Sequence, residues 1–280
     1  HWSRRRQRQM CIRDSDLDSD LLNILTSASK LALNYFSSYK SLKSKRKEDL
    51  SPVSEADIAI NEFLEEKLKK ITPEIPILSE EGSKKTSKRN DDSFWLIDPL
   101  DGTKEFIKGS KNFSINIALV EQGKSVLGAI SEPVEKKIYI GSKSKPARIF
   151  KDKKFQNLNP KSISEICVVS VSKSHSNQYE KNFFKNLKQT YPKVEVIEKG
   201  SSLKFCDLCA GASDVYPRFG PVYQWDLAAG QAILESLGGE IIFKNTKDEV
   251  YKYDFFKKIN GFIALASSKN TKKIKKIAKF

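Results

Sequence analysis

A chain of 280 residues, 39% of them hydrophobic, is too apolar for a disordered tail and long enough for one large domain or two lobes. The formal net charge is +15, but the lysines are dispersed ("KSKRKED", "SKKTSKR", "KDKK", "NTKKIKKIAKF") and carry no aromatic RNA-binding signature or zinc-finger spacing, so a solvated basic surface is read, with no nucleic-acid partner. No apolar run reaches the ~18–20 residues of a membrane-spanning helix and no secretory signal is visible, which points to a cytoplasmic protein without an integral membrane segment.

Residues 1–15, "HWSRRRQRQMCIRDS", show no helical or strand period and are Arg-rich where the rest is Lys-rich. They read as a non-native leader, similar to a translated adapter or linker, and are set apart from the fold. They hold Met10, the only methionine, together with five arginines, one aspartate and Cys11; the remainder is still basic.

"DSDLLNILTSASKLALNYFSSY" then reads as an amphipathic helix, with Leu21, Leu25, Ala28, Ala32 and Tyr35 near one face. A basic loop, "KSLKSKRKEDLSP", follows. "VSEADIAINEFLEEKLKKITP" is a second helix, with Ser54 as N-cap, Asp57 in the first turn and Pro73 closing it. "EIPILSEEG" is a short strand ending in Glu80 and Glu81; "SKKTSKRNDD" is a polar loop; "FWLI" is the next strand. "FSINIALVEQGKSVLGAISEP" alternates and turns near Gln122-Gly123, a hairpin signal. "KKIYIGSK" and "ARIFKDKK" are further strands. The polar stretch from Asn157 to Ser164 divides an N-terminal α+β lobe (16–160) from a C-terminal α/β lobe (161–280). Beyond it strands ("ICVVSVSK", "KVEVIEKG", "SDVYPRF", "EIIF", "GFIALASS") alternate with helices ("NQYEKNFFKNLKQTY", "SSLKFCDLCAG", "DLAAGQAILESLGG"). The class is layered α/β. "CDLC" at Cys206–Cys209 lacks the second pair that a zinc site needs, so both are taken as core fillers; with Cys167, three scattered cysteines fit a reducing compartment.

Acids stand where strands or loops meet helices: Asp57, Glu80, the Asp98/Asp101 pair and Asp226. Singly, each has a bland reading. Asp57 can favour a helix N-terminus, Glu80 and Glu81 can be solvated, and Asp226 can be an N-cap. Asp98 and Asp101 are harder to dismiss. "FWLIDPLDGTKEF" ends an apolar strand in two carboxylates, with Pro99 stiffening the turn between them. Such a pair repels itself unless a cation intervenes, and Mg²⁺ takes carboxylate oxygens together with substrate phosphate. Gly102 lets the backbone approach a ligand, and Thr103 opens a helix whose N-terminus favours an anion. Together these suggest metal-assisted phosphoryl hydrolysis.

The motifs "SEE" at Ser79–Glu81, "DPLDGT" at Asp98–Thr103 and "WDLAAG" at Trp225–Gly230 resemble the lithium-sensitive inositol monophosphatase superfamily. "DGTKEF", "SKSH" at Ser172–His175, "GSSLKFC" at Gly200–Cys206 and "YPRFGP" at Tyr216–Pro221 are similar to its 3'(2'),5'-bisphosphate nucleotidases of the bacterial sulfate-assimilation type; inositol phosphatases usually carry "DGTTNF". The resemblance runs from about Leu17 to the C-terminus. It implies a layered αβαβα sandwich of the inositol monophosphatase / fructose-1,6-bisphosphatase type with the site between lobes. It also implies hydrolysis of the 3'-phosphate of adenosine 3',5'-bisphosphate, or of its phosphosulfate, by in-line attack of a metal-activated water. By the resemblance, Glu80, Asp98 and the Leu100 carbonyl match ligands of one Mg²⁺, and Asp98, Asp101 and Asp226 match those of a second; a third ion is open. Asp57 and Thr103 match the pair that orients or deprotonates the water, with Glu80 also at the catalytic centre. Gly102 and Thr103 match a phosphate cradle, and Ser172, His175, Lys204 and Asp226 match substrate contacts. Arg218 can meet a second phosphate or be structural. Asp207 departs from the family's usual "KFCLVAEG" and is expected to face solvent. The expected partner is a small nucleotide bisphosphate, as monomer or homodimer, in the cytoplasm or peripherally at the inner membrane. An inositol or sugar phosphatase, and a non-catalytic polyanion-binding protein, are the competing readings.

Overall fold

In a computed structural model of the chain, the residues described are 2–38, 44–46, 52–82, 93–172, 178–244, 251–254 and 258–278. Helix α1 (Trp2–Ser37) is followed by a short hairpin, β1 (Ser44–Arg46) against β2 (Pro52–Ser54), inside the stretch expected to be a loop. The helix runs back through the residues set apart as a leader. No Gly or Pro interrupts 2–37, and Arg and Gln are good helix formers, so nothing local stops it. Helix α2 (Glu55–Ile71) begins at a capping box. Ser54 accepts from the Asp57 N–H and the Asp57 carboxylate accepts from the Ser54 N–H. It ends before Pro73, as read.

β3 (Ile77–Ser79) and β4 (Ser93–Asp101) are parallel neighbours. After the short helix α3 (Thr103–Ile107) come β5 (Ser114–Glu121), β6 (Lys124–Glu132), β7 (Lys137–Ser142), β8 (Lys145–Lys151) and β9 (Lys154–Asn157), antiparallel in chain order. The β5–β6 turn is the expected one, with Gln122 at φ 50° and Gly123 at φ 74°, the primed geometry that two-residue hairpins favour. β9 is short and mostly exposed, so it left no apolar alternation to read.

The second sheet uses β10 (Ile166–Val171), β11 (Lys193–Glu198), β12 (Val215–Arg218), β14 (Glu240–Phe243) and β16 (Phe262–Leu265), in the order β11-β10-β12-β16-β14. A two-stranded pair, β13 (Val222–Tyr223) with β15 (Lys258–Ile259), stands beside it. The remaining helices are α4 (Gln178–Thr190), α5 (Leu203–Cys209), α6 (Ala228–Ser236) and α7 (Thr271–Ala278).

Five layers result. Helices α1 and α2 cover one face of the seven-stranded sheet through Leu21, Leu25, Ala28, Ile60 and Leu64. Helices α5 and α6 fill the space between the sheets with Phe205, Leu208, Ile233 and Leu234. Helices α4 and α7 close the outer face of the second sheet with Phe183, Leu187, Ile274 and Ile277. This is the expected αβαβα sandwich. Cys206 and Cys209 are buried free thiols in the middle layer, and burial pushes both above the ordinary thiol range, which suits inert core filling. Among the described residues, no helix is long and apolar enough to cross a membrane.

Candidate active site

Asp98 and Asp101 both lie on β4, which runs unbroken through Pro99. Pro99 therefore sits in a bulge and not in a turn. Asp98 pairs with Asn116, and Asp101 pairs with Ser114, so three steps on β4 oppose two on β5. In a regular strand, residues three apart point to opposite faces; the extra residue restores the parity and brings both acids opposite residues of one face. Pro99, which has no N–H to donate, is tolerated because the ladder is already interrupted there.

Glu80 follows β3 and donates its N–H to Ile97 O at 3.2 Å, which extends the pairing by one residue and carries its side chain to the end of β4. Asp226 lies ahead of α6. Its Oδ2 accepts from the Tyr223 N–H at 3.0 Å, and the helix N-cap is Leu227, so Asp226 is not the cap considered for it. Carboxylate oxygens of Glu80, Asp98 and Asp226 come within 4.8 Å of one another. Asp98 is 1% exposed; Oδ1 accepts the Leu100 N–H at 3.1 Å, while Oδ2 is buried with no hydrogen-bond partner among the described residues. Burial, then the charges of Glu80, Asp101 and Asp226, push the Asp98 carboxyl well above the usual carboxylate range. Burial, then Asp101 and Glu80, do the same to Asp226. An orphaned buried carboxylate oxygen among like charges is the environment a hard cation relieves, so the donor set fits Mg²⁺.

Asp101 stands beside this trio. Its Oδ2 accepts from the Ser202 N–H (2.6 Å), Ser202 Oγ (2.7 Å) and Asn116 Nδ2 (3.3 Å). Ser202 and Asn116 also bond to each other at 2.9 Å, and both are buried. Neither was singled out from the sequence, because a serine in a loop and an asparagine in a strand carry no signal until the pairing register is known.

Thr103 and Asp57 meet as expected. Thr103 Oγ1 is 2.9 Å from Asp57 Oδ1 and 3.1 Å from Leu100 O. Asp57 Oδ2 is held by the Ser54 N–H at 2.9 Å and by the Ser54 hydroxyl. Asp57 thus serves two partners: one oxygen caps α2 and the other accepts from Thr103. Gly102 has φ 96°, and a Cβ there would stand 2.8 Å from Asn112 O, so its need for glycine comes from a backbone contact as well as from the turn.

A cleft of about 360 Å³ opens beside the acids, lined in part by Asp101, Gly102, Ser172, Lys204, Arg218 and Asp226. Lys204 is 2% exposed; Nζ donates to Lys199 O (3.2 Å) and Ser201 O (2.5 Å) and lies 5.0 Å over the Tyr216 ring. Burial lowers its pKa to about 8. Arg218 is half-buried, and its Nε is enclosed with no hydrogen-bond partner among the described residues. His175 lies outside the described residues. Asp207, expected in solvent, is 9% exposed because it pairs with Lys199 Nζ at 2.7 Å.

A profile of the inositol monophosphatase family matches residues 16–279. The chain belongs to that family. Among the family's curated members, it is 35% identical over 79% of its length to the 3'(2'),5'-bisphosphate nucleotidase CysQ of Buchnera aphidicola, covering 82% of that protein. It is 39% identical over 72% of its length to the Salmonella typhimurium protein of the same name, covering 80% of it. Of solved family structures, it superposes on CysQ from Bacteroides thetaiotaomicron with a TM-score of 0.73 at 30% identity, over 89% of this chain and 97% of that one. It also superposes on the suppressor protein suhB from Bartonella henselae with a TM-score of 0.78 at 21% identity, over 94% and 98%, a likeness of fold. The mixed α/β layering described above is the fold of these family members.

Proposed function

We propose that this protein is a Mg²⁺-dependent 3'(2'),5'-bisphosphate nucleotidase that hydrolyses the 3'-phosphate of adenosine 3',5'-bisphosphate, releasing AMP and phosphate. The observation that carries the reading is the Thr103–Asp57 bond of 2.9 Å set beside the Glu80/Asp98/Asp226 cluster. The names of the curated relatives support the substrate class.

Glu80, Asp98 and Asp226 would hold the metal, with Asp101 and the Leu100 carbonyl next to them. Bound Mg²⁺ polarises the phosphoryl oxygens and stabilises the leaving alcohol oxygen. The chain's own residues supply the proton path. Thr103 Oγ1 gives its hydrogen toward Asp57 Oδ1 and so presents lone pairs to a water. As that water attacks phosphorus, its proton passes to Oγ1 and the threonine proton passes to Asp57. The P–O3' bond breaks, the leaving 3'-oxygen takes a proton from solvent water in the cleft to become the hydroxyl of AMP, and Asp57 returns its proton to solvent. In this reading Arg218 and Lys204, which line the cleft, receive the second phosphate. The enclosed Arg218 Nε, with no partner among the described residues, is a donor in need of an anion, and its fork suits a phosphate. A cytoplasmic location follows from such a substrate.

The test is phosphate release with Mg²⁺ from adenosine 3',5'-bisphosphate, its phosphosulfate, inositol 1-phosphate and fructose 1,6-bisphosphate at equal concentration. The expected result is preference for the nucleotides, abolished in Asp98→Asn. Preference for inositol 1-phosphate would replace the substrate assignment, and no release from any of them by folded protein would overturn the enzyme reading.

A further inference from the structure

Outside the acid cluster, four buried or half-buried charges meet at the junction of the two sheets. Lys199, one residue past β11, places Nζ 2.7 Å from Asp207 Oδ1 on α5 and 3.6 Å from Glu132 Oε1 at the end of β6. Lys137 Nζ stands 3.7 Å from the other Glu132 oxygen. Glu132 is 4% exposed and Asp207 is 9% exposed. Enclosed ions of this kind are tolerated only when paired, and removing one partner is worse than removing both. Burial works against the Lys199 charge, yet the bond and charge of Asp207, with Glu132 behind it, hold its ammonium above the ordinary value.

The same lysine begins the segment that reaches the candidate active site. Its N–H donates to Val171 O at 2.9 Å, and its carbonyl accepts from Lys204 Nζ at 3.2 Å. Gly200 presses on Asn112, where a Cβ would lie 2.8 Å from the carbonyl oxygen. Ser201 is held at φ 49°, a left-handed conformation that a serine rarely adopts. Ser202 then delivers its N–H and Oγ to Asp101. One end of the segment is tied to the ionic knot and the other to a metal-site carboxylate. A strained backbone between two anchors persists only while both anchors hold.

We infer that the Lys199–Asp207 pair, backed by Glu132, is a positioning device that sets the 199–204 segment and through Ser202 fixes the Asp101 carboxylate. Asp207 is tolerated inside because Lys199 pairs with it there. The consequence for turnover rests on the nucleotidase reading; the consequence for metal binding does not.

The test uses the full chain as wild type, Asp207→Leu, Lys199→Met and the double variant, each checked as folded by circular dichroism at the assay temperature. Mn²⁺ binding is read by calorimetry, and hydrolysis of adenosine 3',5'-bisphosphate is read in parallel. Each single variant is expected to bind Mn²⁺ about tenfold more weakly and turn over about tenfold more slowly, as for losses behind a ligand shell. The double variant, which has no anchor left, is expected to stay about tenfold weaker in both readouts even though Glu132 keeps Lys137 and no enclosed charge is left alone. Should Asp207→Leu not fold, Asp207→Asn, which keeps an oxygen acceptor without the charge, is held to the same expectation. Folded single variants with Mn²⁺ affinity and turnover within about twofold of wild type would overturn the inference. So would a double variant restored to within about twofold of wild type, because a lone enclosed charge and not a lost anchor would then account for the single variants. If wild type binds Mn²⁺ but releases no phosphate, the nucleotidase reading fails and the Mn²⁺ titrations alone decide the positioning role.

Discussion

Thr103 Oγ1 lies 2.9 Å from Asp57 Oδ1, a bond that joins residues 46 positions apart and ties the start of α3 to the cap of α2. The other Asp57 oxygen is engaged by Ser54, so the acceptor that faces Thr103 cannot rotate away. Asp57→Asn and Thr103→Ala are each expected to lower kcat by about 10²–10⁴-fold while Mn²⁺ binding stays near wild type. Because the two residues form one path, the double variant should fall little below the worse single one. A double variant that loses the product of both effects in a kinetic cycle would separate their roles.

Asp98 lends itself to a stability test that needs no substrate. Its folded-state pKa is raised, as is that of Asp226. Each group therefore stabilises the metal-free fold only at acid pH, and that contribution is lost as pH rises through the raised value. In EDTA, Asp98→Asn is expected to melt above the wild type, with the gap widening as pH rises above the ordinary carboxylate range. Mg²⁺ should raise the wild-type melting temperature, by about 2.7 kcal/mol of stability at a hundred times its Kd, and should leave Asp98→Asn unmoved. Equal responses of the two proteins to Mg²⁺ would remove Asp98 from the metal site.

The α/β alternation and the Asp98/Asp101 pair were legible because they follow from local rules, whereas the αβαβα layering and the wider acid set were what the family resemblance implied. Leu21, Leu25, Ala28 and Ala32 recur at helical spacing and are all fully buried, and Gln122-Gly123 turns where it was expected to. What escaped was decided by partners distant in the chain. The β4 bulge depends on how Asp98 and Asp101 register against Asn116 and Ser114, which β4 alone does not reveal. The burial of Asp207 depends on Lys199 across a loop, and α5 is enclosed along its whole length, so no periodicity marks an exposed face for it. Helix α7 was hidden by having only Ile274 and Ile277 as buried apolar anchors among lysines, and β13 and β15 are two residues each.

Lys204 gives the site a pH dependence. Burial lowers its pKa to about 8, so in the free protein its charge is lost as pH rises through that value. Its attraction for a phosphate should fade with it. The expected outcome is a kcat/KM for the bisphosphate that declines above about pH 8, since kcat/KM reports groups of the free enzyme. Lys204→Met should start about tenfold lower near neutrality and lack that limb. An alkaline limb that survives in Lys204→Met would belong to another group.

Arg218 separates recognition of the second phosphate from the chemistry. Its Nε is enclosed without a partner among the described residues, it lies close enough to Lys204 to lower that pKa and close enough to Asp226 to do the same there, and it lines the same cleft. A guanidinium so placed, next to another cation and open to the cleft, is stabilised by an incoming dianion. Losing a hydrogen bond to a charged group costs about 1.5–3 kcal/mol, or roughly ten- to a hundredfold in affinity. Arg218→Met should therefore raise KM for adenosine 3',5'-bisphosphate by that factor with kcat nearly unchanged. Hydrolysis of 3'-AMP, which has the reacting phosphate and lacks the second one, should change by less than about threefold, because it never used the missing charge. Measuring both substrates on the one variant decides the assignment. Equal losses on the two would place Arg218 at the reacting phosphate or in the framework of the cleft.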